Sequence, residues 1–149
     1  MHASTVQFLT FLCAMVGYAG LAAMVIQSAR FPLLVWIWRP IALLIALHVL
    51  LVWAFRYEWH LAQATRNGYI GFGLFHTALL VILISTLLHP ERAVILLRVA
   101  FLIVSVGAIG AVFRYNEVAI YRVPVLLGAV LGGAGFALAM TNPRRRNGA

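Results

Sequence analysis

Five long apolar runs, separated by short charged segments, limit what this chain can fold into. A helix needs about 20 mainly apolar residues to cross the hydrocarbon core of a bilayer. Since backbone polar groups in lipid must be bonded within their own segment, runs of this kind form helices. We therefore predict an all-α, polytopic transmembrane helix bundle that forms a single integral membrane domain over residues 1–149. The predicted spans are residues 5–26, 33–55, 69–88, 93–113 and 123–140.

The fifth run is short and rich in glycine, which leaves open a four-span arrangement with one re-entrant segment. Every connection is short, and the longest has about 13 residues. A compact domain needs a hydrophobic core of its own, which a connection of this length cannot form. We therefore expect no extramembrane domain, and residues 141–149 form a basic tail.

Composition supports a membrane location and argues against nucleic-acid binding. Hydrophobic residues make up 64% of the chain and charged residues 9%, against roughly 25% charged in soluble domains. The net charge of +8 would suggest nucleic acid in a soluble protein. Here the arginines lie at the ends of apolar runs, where they meet anionic lipid headgroups and set orientation.

The distribution of arginine predicts the orientation of the bundle. Five spans put the termini on opposite sides, and short cytoplasmic loops carry an excess of basic residues. Seven arginines lie on the C-terminal side and four on the N-terminal side. We therefore expect a cytoplasmic C-terminus and an outside N-terminus, in a bacterial or archaeal inner (plasma) membrane. The seven are Arg30, Arg39, Arg92, Arg98, Arg144, Arg145 and Arg146, and the four are Arg56, Arg66, Arg114 and Arg122.

Small residues on the last two spans predict close helix packing. Gly128 and Gly132 stand in a GxxxG spacing that Gly135 extends, and Gly107 and Gly110 offer a small face on the fourth span. Small residues let helix backbones approach closely in lipid. We expect tight packing between the fourth and fifth spans, or against a partner subunit.

Two histidines inside neighbouring spans are the main candidate site. His48 lies eight residues before Arg56, and His76 lies eight residues after Gly68. At 1.5 Å per residue both are roughly 12 Å below the same membrane face. Consecutive helices with a short connection are usually antiparallel neighbours, so the imidazoles could face each other and ligate a haem b iron.

Other residues would support a cofactor at this pair. Gly73, one turn before His76, would leave space for a flat macrocycle, and Arg56 and Arg66 could neutralise propionates. A chlorophyll-type pigment would need one such histidine as its metal ligand. The alternative is that each histidine forms a hydrogen bond between helices, without a cofactor.

Two arginines lie inside apolar runs near the C-terminal side. Arginine within a span is costly and suggests a function, so Arg39 and Arg98 are candidates for contact with an anionic lipid, a quinone headgroup or a partner's carboxylate. The alternative is that each side chain extends along the helix to the headgroups.

These features favour three functions. The first is a small integral membrane subunit of a larger redox or photosynthetic complex, which contacts other membrane subunits and lipids and provides helix packing or a cofactor contact. The second is a bis-histidine b-type cytochrome or a quinone-interacting membrane anchor. The third is a small homo-oligomeric channel or transporter lined by the fifth span. No carboxylate lies within a span and no hydrolase or nucleotide-binding motif is present, so we expect at most electron transfer within a complex.

Overall fold

The computed structural model describes residues 3–66 and 68–141, and they form six α-helices and one 3₁₀ turn. The basic tail beyond Thr141, with Arg144, Arg145 and Arg146, lies outside the described residues. Five of the helices are long and apolar enough to cross a membrane. The helices are α1 (Ala3–Arg30), α2 (Val35–Phe55), α3 (Leu61–Thr65), α4 (Tyr69–Leu87), α5 (Pro90–Arg114) and α6 (Arg122–Thr141), and the 3₁₀ turn is Asn116–Tyr121.

The five long helices confirm the predicted transmembrane bundle. The fifth predicted span is a helix of 20 residues, which at 1.5 Å per residue is about 30 Å long. It is therefore long enough to cross the hydrocarbon core as a single helix. Helix α5 begins three residues earlier than the predicted span because Pro90 stands at its first position, where the missing N–H of proline removes no hydrogen bond.

Helices α1 and α5 form the centre of the bundle. Each packs against the other and against α6, while α2 packs on α1 and α4 packs on α5. A contact between α2 and α4 completes the ring. We call the membrane face where α1 begins and α2 ends the N face, and the opposite one the C face. The core is densest toward the C face, where the side chains of Leu21, Val25, Trp38, Ile82, Leu97 and Phe101 are almost fully buried.

Polar side chains inside the bundle form hydrogen bonds between helices. The indole of Trp38 donates to Ser85 Oγ at 2.9 Å and so joins α2 to α4. The hydroxyls of Tyr18 and Ser105 lie 2.9 Å apart and join α1 to α5. A buried polar group without a partner is costly in lipid, so these bonds help to fix which helix faces meet.

Glycines provide the close contacts between helices. A side chain at Gly132 would overlap the ring of Phe101 on α5, and one at Gly128 or Gly135 would meet Tyr18 or Ile26 on α1. The glycine-rich face of α6 therefore packs closely against both α1 and α5. Gly107 packs against Leu74 and Phe75 of α4.

Candidate functional site

A large cavity opens between α1, α2, α4 and α5 in the half of the bundle near the N face. Its volume is ≈ 1390 Å³, larger than the 300–1,000 Å³ typical of small-molecule pockets. The walls are mainly apolar. They comprise side chains such as Phe11, Met15, Ile45, Val52, Leu79 and Val104.

The cavity exists because small residues line positions where the four helices diverge. Gly71 on α4 and Gly110 on α5 both line it, and a Cβ added at either would meet no atom within 4 Å. Gly110 therefore contributes open space and makes no close contact with another helix of this chain, so the packing predicted for it against a partner subunit stays a prediction. Ala14 and Ala111 line the same space, so no large side chain from these positions fills the gap.

Charged and aromatic residues surround the cavity at the N face. Arg56 at the end of α2 donates to the Glu117 carboxylate at 3.1 Å, and both side chains are largely exposed. The guanidinium of Arg114 lies 5.6 Å from the ring centroid of Tyr115. All four residues line the cavity, so its entrance is polar and its interior is apolar.

His48 lies on the cavity wall and is bonded to α1. Its Nδ1 lies 2.9 Å from the backbone carbonyl of Thr10. Because a carbonyl oxygen can only accept, Nδ1 is the donor, and in the neutral imidazole Nε2 is then an acceptor. Among the described residues no hydrogen-bond partner for Nε2 is found.

His76 also lines the cavity, and both of its ring nitrogens are bonded to the protein. Nδ1 lies 2.7 Å from the carbonyl of Phe72, one turn earlier in α4, to which it donates. Nε2 accepts the indole N–H of Trp53 at 2.9 Å. The Trp53–His76 bond joins α2 to α4, and Trp53 is also in ring contact with Tyr57, Trp59 and Phe72.

The two histidines thus share a cavity and a depth, but their side chains do not fit a bis-histidine haem. Each lies seven residues from the N-face end of its helix, which is about 10 Å. An iron ligand needs a nitrogen lone pair, and the Nε2 lone pair of His76 is directed at Trp53. Of the two histidines, only His48 has a ring nitrogen without a hydrogen-bond partner among the described residues.

Two further residues predicted for a cofactor do not line the cavity. Gly73 lies outside the cavity lining, although a Cβ there would meet no atom within 4 Å. Side chains in a helix lean toward the N-terminus, and the His76 ring stacks on Phe72, with centroids 4.0 Å apart. Arg66 is exposed in the connection after α3 and is also outside the lining, whereas Arg56 belongs to it.

The two arginines predicted for lipid or quinone contact differ in burial and lie near the C face, away from this cavity. Arg39 is exposed in the second turn of α2. Arg98 is half-buried, and its Nη2 donates to the carbonyl of Ser28 on α1 at 3.2 Å. Neither lines the cavity, so the structure separates them from the histidines.

Sequence reasoning missed two residues that determine the chemistry of the cavity. Trp53 stands near the end of an apolar run, a position typical of a membrane-interface aromatic residue, and nothing in the sequence of α2 reveals that it bonds to His76. Thr10 contributes a backbone carbonyl to His48, a contact that any residue at this position could make. Both contacts depend on how helices are rotated against each other.

Comparison with known proteins adds no relatives. No protein-family model, no curated protein and no solved structure matches the chain. Within residues 3–66 and 68–141, no group of three or more His, Cys, Asp or Glu residues could hold a metal ion.

Proposed function

We propose that this protein is a small integral membrane subunit that binds a quinone-class amphiphile within the bilayer. The cavity of ≈ 1390 Å³ carries this proposal. Its apolar walls suit an isoprenoid or alkyl tail, and polar groups at His48 and at the N face suit a headgroup. A mostly apolar pocket with a few placed polar groups is the usual form of a small-molecule site.

We further propose that the N face is outside the cytoplasm, that the C face is cytoplasmic, and that the chain works with other membrane subunits. The excess of arginine toward the C face supports this orientation. Ala134 and Ala137 are exposed on α6, and small residues on an outward helix face suit close contact with another helix in lipid.

Two of the sequence-based alternatives receive less support. A bis-histidine cytochrome would require His76 to release Trp53. A channel lined by the fifth span would require its glycines to face a pore. Gly128, Gly132 and Gly135 instead receive side chains from α1 and α5.

A single-histidine pigment is a second candidate, because one observation favours it. Histidines that ligate a metal commonly donate their other ring nitrogen to a backbone carbonyl or carboxylate. His48 lines the cavity and makes this contact with Thr10, and its Nε2 has no hydrogen-bond partner among the described residues. The absorption spectrum of the purified protein separates the two candidates, since a bound tetrapyrrole absorbs visible light and a quinone-class amphiphile gives no Soret band.

Two glycines on one helix provide a matched test of the proposed function. Gly71 lines the cavity and Gly73 does not, and neither position is crowded. Gly71→Leu places a side chain where the ligand would lie, whereas Gly73→Leu is the control for a leucine added to the same helix. The probes are a decyl-substituted benzoquinone and its hydroquinone, with binding measured by equilibrium gel filtration in mild detergent.

We expect the tighter of the two probes to bind the unmodified protein and the Gly73→Leu variant equally. Gly71→Leu should weaken the binding of that probe at least tenfold, which corresponds to a loss of about 1.4 kcal/mol in binding free energy. The proposed function is contradicted if neither probe binds the unmodified protein, or if both leucine variants bind as well as it does.

A further inference from the structure

The hydrogen-bonding groups on the cavity wall at the depth of His48 distinguish between ligand headgroups. Four side chains place polar atoms there, and their donors are already used by the protein. The hydroxyl of Thr10 donates to the carbonyl of Val6 at 2.8 Å. The indole of Trp53 and Nδ1 of His76 donate to His76 and Phe72, and Nδ1 of His48 donates to Thr10.

The groups left over at this depth are acceptors. Nε2 of His48 has a lone pair and no hydrogen-bond partner among the described residues, and the oxygen of the Thr10 hydroxyl can accept a further bond. The nearby hydroxyls of Tyr18 and Ser105 are buried and bonded to each other. Free donors in the lining lie nearer the N face, on residues such as Gln7, about one turn before Thr10 on α1, and Arg114 at the entrance.

A benzoquinone and a hydroquinone differ in whether they can donate a hydrogen bond to this wall. The carbonyl oxygens of a quinone only accept hydrogen bonds, so beside His48 they would meet lone pairs. The hydroxyls of the reduced form donate, and one O–H can be given to Nε2. A buried polar group that stays unpaired is costly in an apolar site, so the two forms should bind with different affinities.

We infer that the cavity selects the hydroxyl-bearing form of its ligand, a hydroquinone whose O–H donates to Nε2 of His48. This inference rests on the proposed function. A long-chain alcohol presents the same donor on an apolar body, so the shared chemistry is a hydroxyl group at the depth of His48. The aromatic ring contacts available from Trp53 and Phe72 favour a flat hydroquinone over an alcohol.

The test compares the affinities of three probes: decyl benzoquinone, the corresponding hydroquinone kept reduced under anaerobic conditions, and a prenyl alcohol of similar length. We expect the hydroquinone to bind the unmodified protein about tenfold more tightly than the quinone, as one added neutral hydrogen bond implies. We expect the alcohol to bind more weakly than the hydroquinone. This comparison requires no variant, so it does not depend on whether a substituted chain folds.

The His48→Asn variant tests whether Nε2 of His48 causes the preference for the hydroquinone. The asparagine amide can still donate to the Thr10 carbonyl, but it does not extend to the position of Nε2. We expect this variant to lose the preference for the hydroquinone, so that its affinities for the two redox forms lie within about twofold of each other.

The inference is overturned if the two redox forms bind the unmodified protein equally, if the preference persists in His48→Asn, or if the alcohol binds more tightly than the hydroquinone. Each of these results leaves the proposed function intact, provided that Gly71→Leu still weakens binding. Failure of all three probes to bind contradicts the proposed function itself.

Discussion

Gly132 and Gly133 on α6 allow the packing of the bundle to be tested with two adjacent substitutions. A Cβ at Gly132 would overlap the ring of Phe101, whereas a Cβ at Gly133 would meet no atom within 4 Å. Gly132 is buried. Alanine at either position should gain a similar helix propensity of about 0.8–1.0 kcal/mol. The difference in the free energy of unfolding between the two variants therefore gives the cost of crowding the Phe101 ring.

The ring of Phe101 has little freedom to move away. It is 1% exposed, and it stacks on Tyr18 with ring centroids 6.2 Å apart and planes 6° from parallel. Tyr18 itself lies against Gly128 of α6, so a shift of the stacked rings would be transmitted back to the same helix. Adding a methyl group to a well-packed core of this kind typically costs about 1–3 kcal/mol.

We expect the free energy of unfolding of Gly132→Ala to be about 1–3 kcal/mol lower than that of Gly133→Ala. Gly133→Ala should equal or slightly exceed the unmodified protein in stability. The measurement is an equilibrium titration with sodium dodecyl sulfate in mixed micelles, followed by near-ultraviolet circular dichroism of the aromatic residues. Equal midpoints for the two variants would refute the argument that α6 packs on α5 through Gly132.

Two further predictions concern polar contacts, one buried inside the bundle and one exposed at its surface. Ser85→Ala leaves the indole N–H of Trp38 buried and without its acceptor, since Trp38 is 0% exposed. We expect it to lower the free energy of unfolding by about 1–3 kcal/mol, and the same titration with tryptophan fluorescence would show no change if the bond did not form. Glu117→Gln removes the exposed ion pair with Arg56 and should change stability by less than about 1 kcal/mol. A larger effect that persists in high salt would show that this contact is not a screened surface pair.

The boundaries of the helices could be predicted from the sequence, because they depend on the length of apolar runs and on local breakers. Gly68 directly precedes both the predicted third span and helix α4, and its φ of +106° favours glycine, whereas Pro90 starts α5 three residues before the apolar run. These signals act within a few residues of the chain. They do not depend on which helix lies alongside.

The interior contacts could not be predicted in this way, because they depend on how each helix is rotated about its axis. Gly73, which the sequence predicts to leave space for a cofactor, stands two residues after Gly71 on α4. The structure places Gly71 on the cavity and Gly73 outside it. Gly107 and Gly110 both line the cavity, but a Cβ at Gly107 would overlap Leu74 and Phe75 of α4, whereas a Cβ at Gly110 would meet no atom within 4 Å.

Depth along a helix and hydrogen-bonding state give different information about the histidine pair. Counting residues places His48 and His76 at one depth and suggests equivalent roles. The hydrogen bonds separate them, because His76 is bonded at both nitrogens and holds α2 to α4 through Trp53. His48 lines the cavity and is bonded at one nitrogen, and no partner for the other is found among the described residues. Under the proposed function, His76 therefore holds the wall of the cavity together, and His48 is the histidine with a ring nitrogen left for a ligand.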